Sequence, residues 1–214
     1  MIINHLDKDY HPACENGANI YSQLICKFFV PNIKTERNWV TINVEKCVDN
    51  SIVFIHSNLN ANKKYAYLKD YKNLILVCSQ VSTMKDVQDY GIPVYLPLSI
   101  DTHYVKSFVN LNKDRNACYA GRKGKAGYEQ LKNQHVNLLC DIPHEELLKT
   151  MAKYRYVYAV GLTAIEALCL GCNLLPYDQR FPDPSVWKVK DCRSMIPVLQ
   201  NLIDMCDKVM TIEK

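Results

Sequence analysis

Glycine is scarce in this chain, 7 residues of 214, about half of the ~7% usage of ordinary proteins. Each glycine is therefore expected where the backbone has a particular need of it. No apolar run reaches the ~18–20 residues that span a bilayer, so no transmembrane helix is expected. The N-terminus lacks the pattern of a signal peptide, since Met1-Ile2-Ile3-Asn4-His5 runs straight into charged residues. Neither charge dominates: 26 Lys and Arg against 22 Asp and Glu leave a formal +4, which permits an anionic partner without demanding one.

A second CxxC is missing as well. Of ten cysteines, only Cys169 and Cys172 stand at that spacing, with no His pair nearby. Core packing is expected of them in place of a zinc or redox site. The others, Cys14, Cys26, Cys47, Cys78, Cys118, Cys140, Cys192 and Cys206, sit singly and mostly in apolar runs. Without a leader, that usage suits free thiols in a reducing cytoplasm. A soluble cytoplasmic protein is the expectation.

What is present is an ordinary globular composition, 48% hydrophobic and 22% charged, in a length that allows one large domain or two small ones. Short β-rich runs alternate with amphipathic stretches, which predicts an α/β fold of parallel sheets wrapped by helices. Strands are predicted over residues 1–6, 38–44, 51–56, 73–79 and 93–97, with helices over 19–30, 61–71 and 83–90. Gly91 is expected to close the last of these at the C′ position. After a polar connector, residues 101–115, the pattern restarts. Strands 116–120, 136–140, 156–160 and 173–176 alternate there with helices 127–134, 143–153 and 163–170. The expected organisation is one α/β domain over 1–105, a second α/β domain over 106–190, and a C-terminal helix in 191–214 that could cross back to the first domain. Two such Rossmann-like halves would face each other across a cleft at their strand ends.

Two segments carry the chemistry. In Tyr119-Ala120-Gly121-Arg122-Lys123-Gly124-Lys125-Ala126-Gly127, a strand meets three glycines and three cations before a helix. Loop N–H groups and Arg122 could hold phosphate oxygens there, with Lys123 or Lys125 adding charge. A solvated basic turn is the plain alternative, because neither GxGxxG nor GxxxxGK[ST] is present. In Val160-Gly161-Leu162-Thr163-Ala164-Ile165-Glu166-Ala167, a strand and a Gly turn precede a helix opened by Thr163. Glu166 falls among apolar residues, where a carboxylate needs solvent or a donor. A ribose diol would serve, and so would a helix cap or a cation.

Taken in order, these residues resemble the nucleotide-binding domain of GT-B-fold glycosyltransferases, specifically the large retaining group that includes sucrose and glycogen synthase relatives. Tyr119-Ala120-Gly121-Arg122 is similar to the family's strand-GR loop. Ile142-Pro143-His144-Glu145-Glu146-Leu147 is similar to its helix opening after the third strand, and Gly161 through Gly171 to its G-x4-EA-x3-G segment. Val77-Cys78-Ser79, Gly91 and Val94 through Asp101 resemble its approach to the hinge. The resemblance covers about residues 50–178.

It implies that Arg122 and Lys125 hold the donor diphosphate and that Glu166 binds the ribose hydroxyls. Asp141 would border the base. Gly121, Lys123, Gly161, Leu162 and Thr163 would contribute around the donor, and His56 would stand beside the transferred sugar. In the N-terminal loop, Asp9, His11 and Gly17 would face the acceptor. Transfer would proceed with retention, the leaving diphosphate taking the acceptor proton, and no metal or cofactor is expected besides the nucleotide-sugar. The chain departs from the family in one place that matters: Tyr158 stands where a second glutamate is usual, eight positions before Glu166.

The compact size and Lys-, Asn- and Tyr-rich composition suit a phage enzyme, and the acceptor could be a hydroxymethylated base in DNA. Lys63, Lys64, Lys69 and Lys72 would meet the backbone, and Tyr65, Tyr67 and Tyr71 a flipped base. The alternative is a catalytically inactive relative that binds a nucleotide or nucleic acid.

Overall fold

The computed structural model describes residues 1–4, 17–42, 45–55, 61–123 and 126–212. It divides into two compact units, one built from residues 1–7, 21–98 and 192–214 and the other from 8–20 and 99–191. Each contains one all-parallel sheet, so the chain is α/β with two parallel sheets.

In the first unit, β1 (Ile2–Asn4), β2 (Asn38–Thr41), β3 (Ser51–Ile55), β4 (Ile75–Cys78) and β5 (Ile92–Tyr95) lie in sequential order. The middle strands are buried throughout, as parallel strands covered on both faces must be. Alternate residues serve the two faces. Phe54 packs with Tyr21, Phe29 and Trp39, the first of these from α1 (Gly17–Leu24), which continues as a π-helical turn over Ile25–Phe29. Val53 and Ile55 join the cluster with Tyr65, Leu68 and Val87, supplied by the segment from α2 (Ala61–Lys64) to α3 (Val81–Val87).

Gly91 has no positive φ, so it is not the left-handed C′ cap expected from the sequence. It is required for space: a Cβ there would stand 2.7 Å from the carbonyl oxygen of Leu74, the same oxygen that accepts from Ile92 N at 2.9 Å as β5 begins.

The second unit opens with a helix in the stretch expected to be a connector. Asp101 caps α4 (Thr102–Lys106) by accepting from Tyr104 N at 3.3 Å, and α4 packs on the unit's own α7. The contact division consequently falls at Leu98/Ser99, ahead of residue 105. Then follow β6 (Arg115–Ala120), α5 (Ala126–Leu131), β7 (Asn137–Leu139), α6 (His144–Met151), β8 (Tyr154–Tyr158), α7 (Leu162–Cys169) and β9 (Asn173–Leu175). The order β7-β6-β8-β9 reverses direction about β6. A reversal of this kind opens a crevice outside the carboxyl ends of the two strands that flank it, here β6 and β8.

Lys113 locks the opposite side of this unit. Its ammonium donates to the carbonyls of Ala152 and Leu170, each at 3.0 Å, and lies 3.3 Å from the Cys172 sulfur. Those residues end α6 and α7, so one cation meets the negative ends of two helices. Cys172 and Cys169 face different neighbours, Met151 O and Thr102 O respectively. Burial pushes both thiols up. The CxxC is core.

The chain leaves the second unit beside its entry. Ile100 bridges Asp191 in parallel, and the Asp191 carboxylate accepts from Thr102 N at 3.0 Å and Thr102 Oγ1 at 2.5 Å. The last helix, α8 (Cys192–Ile212), belongs to the first unit. It buries Met195, Leu199, Ile203 and Cys206, seats the Arg193 guanidinium over Phe28, and ties to Arg37 through Asp207 at 2.7 Å. No helix among the described residues is long and apolar enough to cross a membrane.

Candidate functional site

Because the strands of the second unit are parallel, their carboxyl ends share one edge of the sheet. In register, Tyr119 lies opposite both Leu138 and Tyr158, and Tyr158 opposite Leu175. The segments that leave this edge therefore bring together Gly121-Arg122-Lys123, Asp141, Gly161-Leu162-Thr163 and Tyr177. Three of these groups were expected from sequence. Tyr177 was not.

Gly121 is dictated by its neighbour. Its N–H continues the ladder to Leu139 O at 3.3 Å, and the Tyr119 ring folds across it, so that a Cβ would fall 2.5 Å from the tyrosine oxygen. That hydroxyl donates to Arg122 O at 3.2 Å, fixing the backbone of the loop from below. Arg122 and Lys123 are exposed. Across the sheet edge, Asp141 is exposed and adopts φ 55°. That left-handed conformation is tolerated by Asp better than by most residues.

Gly161 has φ 69° and ψ −141°, a region essentially closed to residues with a Cβ. It sits at the N-cap, so α7 begins at Leu162, and Thr163 lies inside the first turn instead of opening the helix. No side chain caps this end, which leaves first-turn N–H groups aimed outward from the strand edge.

Glu166 projects from the second turn of α7 and is 2% exposed. Its Oε1 accepts from His144 Nε2 at 2.8 Å, and among the described residues it is the imidazole that compensates its burial. His144 is the first residue of α6. In the sequence it belongs to a segment read only as a helix opening. No local signal reveals its role, because the partner is 22 residues away.

Tyr158 packs edge-on against Tyr177, which does the same to Tyr119. Burial drives the Tyr177 phenol up to about 12 and raises that of Tyr119 as well. Tyr119 and Tyr177 thus stay neutral under all ordinary conditions. Next to them, Arg180 forks onto the Asp178 carboxylate and holds it below the usual carboxylate range.

A surface hollow lined by Leu111, Asn112, Lys113, Asp114 and Arg155 lies at the amino ends of β6 and β8, the wrong edge for the expected residues. His56, Lys125, Asp9 and His11 lie outside the described residues. So does Asp7-Lys8-Asp9, an Asp-x-Asp able to offer two carboxylates to a divalent cation; among the described residues no cluster of potential metal ligands occurs. Gly17 is the first residue of α1, with open space around it. In the first unit Lys63, Lys64, Lys69 and Lys72 are exposed. Tyr65 is fully buried and unavailable for stacking on a base, whereas Tyr67 and Tyr71 are half-buried and pack on each other. No protein-family model, curated protein or solved structure matches the chain.

Proposed function

We propose that this protein is a retaining glycosyltransferase that moves a sugar from a nucleotide-diphosphate donor to an acceptor hydroxyl, with its two domains in a GT-B arrangement. The observation that carries the reading is Glu166, a buried carboxylate in the glycine-opened helix that leaves the carboxyl edge of a reversing parallel sheet. A carboxylate there is suited to accept from the two hydroxyls of a ribose. Exposed Arg122 and Lys123, with Lys125, supply cations for the diphosphate, and Asp141 borders the base.

In the transfer, the bond between the anomeric carbon and the diphosphate oxygen breaks. The acceptor oxygen bonds to that carbon on the same face, and its proton passes to the departing diphosphate. Arg122 and the lysine stabilise the charge that develops on the leaving group. A resident metal is then unnecessary, and turnover is expected to survive chelation; if it does not, Asp7-Lys8-Asp9 is the place to look for the cation. The exposed lysines of the first unit favour a polyanionic acceptor, and a hydroxymethylated base in DNA fits them. Binding to DNA should then weaken steeply with salt.

A second reading, an inactive relative that only binds a nucleotide, is favoured by the aromatic environment of Tyr158. Turnover separates the two. The first test is a thermal-shift screen of nucleoside diphosphates and their sugars against the intact protein and Arg122→Ala. A ligand at 100 times its dissociation constant adds about 2.7 kcal/mol. Stabilisation by one nucleotide, lost in the variant, supports the reading, and hydrolysis or transfer of that donor then excludes the inactive relative. No response to any nucleotide overturns both.

A further inference from the structure

We propose that His144 is the positioning residue of the nucleotide site: its Nε2–H holds Oε1 of Glu166, turning Oε2 toward the ribose, and its protonation tightens nucleotide binding. The proposal rests on the reading of Glu166 as a ribose ligand. Its own ground is the geometry of the pair. The two side chains come from the first turn of α6 and the second turn of α7 and meet at 2.8 Å. Their side chains are 12% and 3% exposed, so little water is left to do the same work. Among the described residues, Glu166 Oε2 has no hydrogen-bond partner of its own. A carboxylate with one oxygen fixed and the other available has a single orientation to offer an incoming diol, and the entropy of choosing it is removed before binding.

Charge decides the strength of this hold. A neutral imidazole with its proton on Nε2 donates an ordinary hydrogen bond, whereas the imidazolium makes a charge-assisted one, roughly twice as strong. Among the described residues, the charged and titratable groups around the pair lie on α4, α6, α7 and the strands beneath them. The Tyr104 ring of α4 stands 6.4 Å from the His144 ring. Glu145 and Glu146 follow on α6 and are exposed. On α7, Cys169 is the neighbour of Glu166, with Lys106 of α4 and Asp191 beyond it. Of the strands packed beneath, β8 supplies Tyr158 at the near end, while on β6 Arg115 is bonded to Tyr154 at the far end.

The experiment measures the dissociation constant of the nucleoside diphosphate found in the thermal-shift screen. It uses the full chain and its His144→Gln, His144→Ala and Arg122→Ala variants, from about pH 6 to about pH 8, either side of the ordinary histidine range. Glutamine keeps an N–H near the position of Nε2 but cannot be protonated. The phosphate's own titration is common to all variants and cancels in their ratios. The native protein should bind about tenfold tighter relative to His144→Gln at the acid end than at the alkaline end, the worth of one charge-assisted bond. His144→Ala should weaken binding throughout. Equal pH profiles for the native protein and His144→Gln, or unaltered affinity in His144→Ala while Arg122→Ala loses the ligand, overturn this inference and leave the nucleotide reading standing. No nucleotide binding by the native protein overturns the reading and the inference together. The histidine ring NMR titration supplies a ligand-free check: Glu166→Gln should lower the His144 midpoint, and an unmoved midpoint refutes the pairing.

Discussion

The phenol of Tyr119 lies across Gly121, its oxygen 2.5 Å from where a β-carbon of residue 121 would stand. The strand that ends in the loop thus also holds that loop down, and the small residue is set by a packing partner two positions earlier in the chain.

Gly121→Ala should therefore displace the Tyr119 ring from its edge-on contact with Tyr177, 5.6 Å away. Overpacking of this type costs about 1–3 kcal/mol. The expected outcome is a lower Tm together with weaker nucleotide binding. Adding Tyr119→Phe removes the oxygen and should recover part of the stability; a Gly121→Ala variant as stable as the native protein contradicts the contact.

Gly91→Ala tests a different kind of glycine. Its Cβ would meet Leu74 O at 2.7 Å, a backbone atom that cannot turn away. The start of β5 must shift, and denaturant unfolding should show a loss of about 1–3 kcal/mol. Because the position has no positive φ, Gly91→Asn should not be better tolerated than alanine, as it would be at a left-handed cap.

Lys113→Met keeps the aliphatic stem and removes the ammonium. The carbonyls of Ala152 and Leu170 lose their donor at the ends of α6 and α7, which costs about 1–3 kcal/mol. Hydrogen exchange should quicken in the last turns of those two helices before it changes elsewhere. Uniform protection in the variant counts against the double cap.

Asp178 links stability to acid. Arg180 lowers its carboxyl below the ordinary value, so the folded state binds this proton less readily than the unfolded chain. The stabilisation is fully present above the ordinary aspartate range and is lost as pH falls through the lowered value. In acid melts, the gap between the native protein and Asp178→Asn should narrow below about pH 4. A constant gap removes the linkage.

The alternation of β-rich and amphipathic runs was enough to predict two parallel sheets, since the strands are short apolar segments with their own turn residues and the helices carry a 3.6-residue period. The segments that leave the carboxyl edge of the second sheet could be named for the same reason: Gly121-Arg122 directly follows β6, and Gly161 comes three residues after the end of β8. Local context misled where spacing had to stand for space. Gly91 has the position of a cap but is small because of Leu74, seventeen residues before it in sequence. Thr163 has the chemistry of a cap, yet the conformation of Gly161 starts the helix earlier. Asp101 looked like part of a connector because the helix it caps is only five residues long, too short to show a period.

What lies in the chain alone is periodicity and punctuation: the α/β class, the strand ends, and the residue types able to meet a phosphate or a diol. Strand order, the pairing of His144 with Glu166, the edge-on contacts that link Tyr119 to Tyr158 through Tyr177 and the double cap by Lys113 came from tertiary structure. Each joins groups from different elements, and a side chain's partner across a parallel sheet depends on which strands are neighbours, a choice that no local pattern of residues encodes.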